Sequence, residues 1–147
     1  METVKFIKLN EHAVAPSYGS AAAAGADLYA CTGGETTVFA PGETKMIHTG
    51  IALQIPDGLV GLVYARSGIA TKRGLAPANK VGVIDSDYRG EIMVSLHNHS
   101  GEPQEIADGE RIAQLVIAPY ITARFEQTET LDETERGSGG FGSTGRK

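Results

Sequence analysis

The feature that most constrains the fold is a two-residue alternation of side chains in the segment from Lys45 to Pro56. Every second residue from Ile47 to Ile55 is apolar or β-branched, and the residues between them are small or polar. Because successive side chains of a strand point to opposite faces, this alternation predicts a half-buried β-strand. Turn-forming residues flank the segment, Pro41-Gly42 before it and Pro56-Asp57-Gly58 after it. The segment therefore predicts a sheet protein with tight turns.

Three further segments have the length and pattern of strands, and turn residues separate them. They are Leu59 to Ala65, Glu91 to Asn98 and Arg111 to Tyr120. Short strands at this spacing predict an all-β sandwich or barrel. Ser67 to Arg73 is the only segment with a helical pattern, and Gly74 stands where a helix C-terminal glycine belongs. Gly19 and Gly25 bracket the alanines from 21 to 24 too closely for a stable helix, which favours a loop there.

Composition limits the class of protein. The chain of 147 residues, 41% of them apolar, fits one globular domain. It has no run near the roughly 20 apolar residues of a membrane-spanning helix and no stretch of signal-peptide type, so we expect a soluble cytoplasmic protein. Cys31 is the single cysteine, which excludes an internal disulfide and a cysteine-rich zinc site. The net charge of −5 argues against broad binding to nucleic acid, so an anionic ligand must be bound locally.

Two motifs supply groups that suit phosphate binding and water activation. Arg66-Ser67-Gly68 follows an apolar strand, so backbone N–H groups, a hydroxyl and a guanidinium converge there; alternatively, Ser67 caps the helix and Arg66 forms a surface ion pair. The segment from Gly82 to Ile92 predicts a strand, a tight turn at Asp85-Ser86-Asp87 and a returning strand. This places Asp85 at an apolar edge, where a carboxylate can deprotonate a water, with the Tyr88 ring beside it. Alternatively, the two aspartates only satisfy the amides of an ordinary hairpin.

Two other places have both a functional and a structural interpretation. The glycine-rich segment from Arg136 to Arg146 is interpreted as a lid, in which Arg136 meets phosphate oxygens and Phe141 stacks on a flat ring. A disordered tail is the alternative. Asp27 is a candidate for holding the waters of a metal ion, and a turn aspartate is the alternative there.

Five segments occur in a fixed order: AGADLYA (24–30), ARSGIA (65–70), GVIDSDYRGE (82–91), GERIAQLV (109–116) and RGSGGFGSTG (136–145). They resemble the five motifs of the trimeric dUTPases and span nearly the whole chain. The resemblance implies an all-β, jelly-roll-like distorted β-barrel in a homotrimer with shared active sites. It implies a barrel domain at residues 1–132 and a flexible lid at residues 133–147.

The same resemblance implies the activity. The enzyme would use Mg²⁺ to hydrolyse dUTP to dUMP and pyrophosphate by attack of water on the α-phosphorus. This would limit the incorporation of uracil into DNA and supply dUMP for thymidylate synthesis. No nucleic acid or membrane partner is expected.

The resemblance also implies roles for individual residues. Asp85 would orient the attacking water, Asp27 would hold the waters of Mg²⁺, and Tyr88 would pack under the deoxyribose and exclude a 2′-hydroxyl. Fixed backbone groups around the base would match the O4 and N3–H of uracil and leave cytosine mispaired. The implied substrate-binding residues are Arg66, Ser67, Gly68 and Gln114 at the phosphates, Asn79, Gly82, Val83, Ile84 and Met93 around the base, and Arg136, Phe141, Gly142, Ser143 and Thr144 in the tail.

Two other functions fit parts of the same sequence. A dCTP deaminase shares this fold, but it needs extra acid-base groups near the base, and it would release ammonia from dCTP. A non-catalytic module whose tail touches RNA or a protein is the second alternative. The acidic composition and the single aromatic residue of the tail weigh against RNA.

Overall fold

A computed structural model describes residues 2–140, and in this range the chain has eleven strands and one short helix. The elements are β1 (Lys5–Lys8), β2 (Ser17–Tyr18), β3 (Ala26–Tyr29), β4 (Thr37–Phe39), β5 (Thr44–Gln54), β6 (Leu59–Tyr64), α1 (Ser67–Arg73), β7 (Leu75–Pro77), β8 (Gly82–Ile84), β9 (Glu91–Asn98), β10 (Gln104–Ile106) and β11 (Arg111–Pro119). The sheets have the orders β1-β5-β9-β7, β2-β3-β11-β6-β8 and β10-β4. The all-β prediction is confirmed; within residues 2–140 the strands form separate open sheets and no closed barrel.

The four predicted strand segments form the centres of the two large sheets. β5 pairs with β9, and β6 pairs with β11, both antiparallel. In β5 the buried and exposed residues alternate only as far as Thr49, and residues 50–53 are all buried. The register of β5 against β9 shifts between His48 and Ala52, and Gly50 adopts a φ of 66° there. This bulge ends the simple alternation, because both faces of the strand are covered beyond it.

Apolar side chains of the sheets form one core. Its fully buried members include Leu28, Phe39, Ile51, Leu75, Ile92, Leu96, Ile106 and Ile112. Burying one such side chain contributes about 1.5 to 3 kcal/mol. Asn98 is a fully buried polar residue. Its amide donates to the Glu102 carbonyl at 2.8 Å, and its oxygen accepts the Ser100 N–H at 2.9 Å. Cys31 is buried, and burial raises the pKa of its thiol, so it is a small buried side chain and not a reactive one.

The predicted helix forms with the predicted bounds. Gly74 follows it with a φ of 67° and donates its N–H to carbonyls of the last turn. The N-cap residue is Arg66, and no side chain caps the helix. The alternative in which Ser67 caps the helix is therefore wrong. The alanines from 21 to 24 lie in a loop, as predicted.

The segment from Gly82 to Ile92 does not form the predicted hairpin of a strand, a tight turn and a returning strand. β8 pairs with β6, whereas β9 pairs with β5 and β7. The two strands therefore belong to different sheets, and residues 85–90 cross from one sheet to the other. Alternation specifies which face of a strand is buried, but it does not specify the neighbouring strand. The turn that carries Asp85 is thus a bridge between two sheets.

Residues 120–140 contain no strand or helix and are mostly exposed. Ile121 and Phe125 are 94% and 95% exposed. The predicted lid begins in this range, but its residues Phe141, Gly142, Ser143 and Thr144 lie outside the described residues. Within residues 2–140, no helix has the length and apolar character that crossing a membrane would require.

Asp108 makes the acid stability of the fold testable. Its carboxylate accepts the N–H groups of Thr32 at 2.7 Å and Gly34 at 3.0 Å. These bonds, led by the one from Thr32, lower the pKa of Asp108 below 3.8. A lowered pKa stabilises the fold above the unfolded-state value, and this contribution is lost as the pH falls through the folded-state pKa.

We therefore expect Asp108→Asn to flatten the dependence of the unfolding free energy on pH between about pH 5 and about pH 3. Urea unfolding at several pH values measures this dependence. An exposed carboxylate without such bonds, Glu126, provides the control for charge alone. Equal slopes in the wild type and Asp108→Asn would contradict the prediction.

Candidate active site

A polar cavity of about 220 Å³ brings together most of the residues predicted to bind phosphate. We call it the arginine cavity, and it is lined by Gly19, Ala23, Gly25, Asp27, Arg66, Ser67, Gly68, Arg111 and Gln114. Strand pairing explains the convergence. On β11, Gln114 lies opposite Asp27 of β3 on one side and opposite Tyr64 of β6 on the other. Tyr64 ends β6 two residues before Arg66. Three motifs distant in sequence thus meet on three adjacent strands.

Asp27 links two arginines in this cavity. Its Oδ1 accepts the Nε–H of Arg66 at 2.7 Å, and its Oδ2 accepts an N–H of Arg111 at 3.3 Å. The Asp27 side chain is 12% exposed, whereas those of Arg66 and Arg111 are 24% and 51% exposed. Arg66 uses only its Nε on the aspartate, so both terminal nitrogens of its guanidinium remain for a ligand. Two cations against one carboxylate give the cavity a net positive charge that suits an anion.

Gln114 is held in the cavity by its neighbours. Its Nε2 donates to the Ala65 carbonyl at 2.8 Å, and the amide has a second N–H that is available to a ligand. A Cβ at Gly25 would come within 2.5 Å of the Gln114 Oε1. Gly25 is thus required for the glutamine to lie where it does. A Cβ at Gly68 would meet only open space, so the backbone there is accessible.

Arg111 is the site residue that the sequence analysis missed. It begins β11, a strand of otherwise apolar and small residues plus Gln114. A cation at the start of such a strand was the signal available in the sequence, but its role depends on the pairing that places it beside Asp27. Only the strand register shows that pairing.

The residues predicted to surround the base lie elsewhere, on β8, on its flanking turns and on β9. The Asn79 amide nitrogen lies 3.6 Å from the position of a Cβ at Gly82. Lys80, between them, has a φ of 65°, a left-handed conformation that is uncommon for a residue with a side chain and is typical of functional turns. Val83 is 61% exposed and Met93 is 40% exposed, so both offer apolar surface to a ligand.

The turn with Asp85 is closed by its backbone. The Tyr88 N–H donates to the Asp85 carbonyl at 3.1 Å, and the Arg89 guanidinium donates to the carbonyls of Ser86 and Tyr88 at 2.6 and 2.9 Å. The exposed Asp85 carboxylate is therefore not needed to close the turn. The Tyr88 hydroxyl donates to the Glu91 carbonyl at 3.0 Å, and the residue is 42% exposed.

Asp85 and the arginine cavity do not meet within one chain. Ile84 lies opposite Gly61 on β6, and Asp85 continues beyond it, while Arg66 follows the other end of β6. Arg66 lies five positions beyond Gly61 along the chain, or roughly 17 Å of extended backbone at about 3.3 Å per residue. The chain thus carries two half-sites. One is the arginine cavity at one end of β6, and the other is the segment with Asp85 and the predicted base-binding residues, which extends past the opposite end. Arg136 belongs to neither half-site; it is exposed, and its Nε donates to the Gly139 carbonyl at 2.8 Å.

Comparison with known proteins identifies the family. A model of the dUTPase family matches residues 11–145. The chain belongs to the dUTPase family. It is 50% identical to the deoxyuridine 5′-triphosphate nucleotidohydrolase of Nautilia profundicola over 97% of this chain and 99% of that one. It is also 50% identical to the enzyme of the same name from Syntrophotalea carbinolica, over 97% of each chain.

Solved structures of the family share the fold. The Staphylococcus bacteriophage 80alpha dUTPase with dUPNHPP superposes with a TM-score of 0.88, at 31% identity and over 99% of both chains. A mutant dUTPase of S. aureus phage phi11, described with a structural Mg(II) ion, has a TM-score of 0.78 at 30% identity, over 88% of this chain and 98% of that one. The all-β, jelly-roll-like class is confirmed.

The side chains that the structure describes do not form a metal site by themselves. Among residues 2–140, no group of three or more His, Cys, Asp or Glu side chains is placed to hold a metal. Both oxygens of Asp27 already accept hydrogen bonds from arginines. With these bonds in place, Asp27 would suit a contact through a metal-bound water.

Proposed function

We propose that this chain hydrolyses dUTP to dUMP and pyrophosphate. The observation that supports this most strongly is the arginine cavity, in which Arg66, Arg111 and Gln114 offer donors to phosphate oxygens around Asp27. The cavity of about 220 Å³ suits a phosphate chain, but it is smaller than the roughly 300 Å³ and more that a whole small-molecule ligand occupies. The base and sugar must therefore bind outside it. Relatives at 50% identity carry the name of this activity.

In the proposed reaction, Asp85 is the general base. A water oxygen attacks the α-phosphorus, the bond from that phosphorus to the bridging oxygen of pyrophosphate breaks, and the water proton passes to the Asp85 carboxylate. Arg66 and the Gln114 amide hold the phosphates in line for this attack. Mg²⁺, when bound to the triphosphate, neutralises part of its negative charge.

The base and sugar are selected by the second half-site. Asn79 and the backbone of Gly82, Val83 and Ile84 present fixed hydrogen-bonding groups to uracil, and Met93 adds apolar surface. The Tyr88 ring packs against the deoxyribose, where a 2′-hydroxyl would clash. Uridine triphosphate is thereby excluded.

We further propose a homotrimer in which the arginine cavity of one copy faces the Asp85 half-site of the next. A site divided between both ends of β6 requires a second copy, and a head-to-tail contact of this kind forms a closed ring of three when a threefold rotation relates successive copies. Apolar surface on the single chain supports association, because Phe6, Ile7 and Phe125 are 46%, 61% and 95% exposed. The expected mass in solution is about 46 kDa, three times 15.4 kDa.

The tail and the cellular role complete the proposal. The segment of residues 133–147 acts as the lid, in which Arg136 meets the γ-phosphate, and residues 1–132 form the main domain. Cytoplasmic location, control of uracil incorporation into DNA and supply of dUMP for thymidylate synthesis remain predictions.

The test is pyrophosphate release from dUTP with Mg²⁺, beside dCTP, dTTP and UTP. We expect release from dUTP at least about 100-fold faster than from each of the others. Cytosine is mispaired with the fixed backbone groups, the methyl of thymine has no room beside the base, and the 2′-hydroxyl of UTP clashes with the Tyr88 ring. Ammonia release from dCTP would instead support a deaminase. Failure to alter any of the four nucleotides would contradict the proposal and favour a binding module.

A further inference from the structure

Glu91 is an acidic residue of β9 to which neither half-site assigns a role. It is the first residue of the strand and directly follows the turn that carries Asp85 and Tyr88. Its Oε1 accepts the Gly50 N–H at 2.7 Å, and its Oε2 accepts a hydrogen bond from the His48 Nδ1 at 2.8 Å. Because a carboxylate only accepts, the hydrogen of this second bond lies on the imidazole. The Glu91 side chain is 21% exposed, so it lies along β5 and not in solvent.

The bulge of β5 explains why the Gly50 N–H needs a hydrogen-bond acceptor from the Glu91 side chain. The ladder between β5 and β9 is broken between His48 and Ala52, and Gly50 has a φ of 66° at the break. A bulge leaves a backbone group without its ladder partner, and the Glu91 carboxylate takes that place. Burial raises the pKa of Glu91, but the bonds from His48 and Gly50 outweigh it and lower the pKa below 4.5. At neutral pH the residue is a carboxylate bound to β5.

The backbone carbonyl of Glu91 binds the Tyr88 side chain. The Tyr88 hydroxyl donates to the Glu91 backbone carbonyl at 3.0 Å. Gly90 lies between the two residues, and a Cβ there would overlap the tyrosine hydroxyl and the ring carbon that bears it. The Tyr88 ring thus packs against Gly90 and is hydrogen-bonded to Glu91. The position of Glu91 is in turn fixed by its bonds to β5.

We propose that Glu91 is a positioning residue for sugar discrimination. Its carboxylate fixes the start of β9 on the β5 bulge, so that its carbonyl holds the Tyr88 ring where a 2′-hydroxyl would clash. This inference rests on the proposed function, because it assigns the ring its role against deoxyribose. Glu91 itself does not touch the substrate.

The first test compares Glu91→Ala with a matched control, Glu43→Ala. Glu43 makes the same kinds of contact near the opposite end of β5, where it accepts the Ala40 N–H at 2.8 Å and lies 3.3 Å from the Lys45 Nζ. We expect Glu91→Ala to lower the ratio of kcat/KM for dUTP to that for UTP by about tenfold, since small displacements of a positioning group have effects of this order. Glu43→Ala should leave the ratio unchanged. Glu91→Gln keeps an acceptor for the Gly50 N–H and should therefore keep most of the wild-type ratio.

A ratio that stays unchanged in Glu91→Ala, or falls equally in Glu43→Ala, would overturn the proposal. If Glu91→Ala does not fold, His48→Ala replaces it. The His48 side chain is 60% exposed, and its loss leaves the bond to Gly50 intact. We then expect a fall of about threefold in the same ratio, and no fall would again overturn the proposal.

A second readout does not depend on catalysis. In protein labelled with ¹³C-tyrosine, Tyr88→Phe assigns the Tyr88 ring among the five tyrosines. Glu91→Ala should shift or broaden that ring signal, whereas Glu43→Ala should not. An unmoved Tyr88 signal would overturn the positioning role. A moved signal in a protein that does not hydrolyse dUTP would leave the positioning intact and contradict the proposed function alone.

Discussion

Replacing Asp85 with asparagine is expected to lower kcat for dUTP by about 10³-fold, with KM changed by less than about threefold. Asparagine has the same shape and still accepts a hydrogen bond, but it cannot take the proton of the attacking water. The backbone bond from Tyr88 to Asp85 closes the turn, so the substitution leaves the local structure in place. A loss in kcat without a loss in affinity would identify a group that acts in the transition state. Steady-state kinetics over a range of dUTP concentrations measures both constants.

Asp87 provides the matched control in the same turn. It is exposed, lies two residues from Asp85 and carries the same charge. Asp87→Asn should keep kcat within about twofold of the wild type, because only one carboxylate is expected to face the water. Near-normal turnover of a folded Asp85→Asn enzyme would contradict the assignment. Equal losses in the two variants would show that the turn needs negative charge and not a base.

Sequence alone predicted the local elements and the chemistry of single residues. The alternation of β9 predicted its bounds, from Glu91 to Asn98, and Gly74 ended the helix as expected. Both features are local, because a strand period and a left-handed glycine depend on adjacent residues. The resemblance to a family assigned Asp27 to the waters of a metal and Arg66 to the phosphates. The register of three strands gives the physical reason that the two residues lie together.

The partner of β8 and the role of Arg111 could not be predicted in the same way. The short sequence of β8 is compatible with either β6 or β9 as a neighbour, since a strand pattern does not specify which strand pairs with it. Arg111 joins the cavity only through Asp27, a residue 84 positions away along the chain. The separation of Asp85 from Arg66 is likewise a consequence of topology. A list of site residues does not show that they occupy opposite ends of β6.

The second large effect is expected for Arg66→Gln, which should raise KM for dUTP by about 100-fold. Arg66 is the more buried of the two cavity arginines, and both of its terminal nitrogens are free of Asp27. Its loss would therefore remove a charged contact in which two nitrogens can donate to one phosphate. Lys72→Gln removes a positive charge from the exposed side of α1, and it should change KM by less than about twofold. Competition by inorganic pyrophosphate should weaken with KM in Arg66→Gln. Undiminished inhibition by pyrophosphate would contradict the phosphate role.

The two variants together test whether the active site is shared between copies. If the arginine cavity of one copy works with Asp85 of the next, each variant lacks a different half of every site. Unfolding an equal mixture of Asp85→Asn and Arg66→Gln and refolding it should then assemble mixed trimers. A given site is intact when its first copy keeps Arg66 and its second keeps Asp85, which random assembly provides in about one quarter of the sites. The mixture should therefore recover about a quarter of the wild-type rate at a dUTP concentration where each variant alone is nearly inactive. Recovery would require that the half-sites come from different chains, whereas a mixture no more active than the sum of its parts would place both halves of each site in one copy.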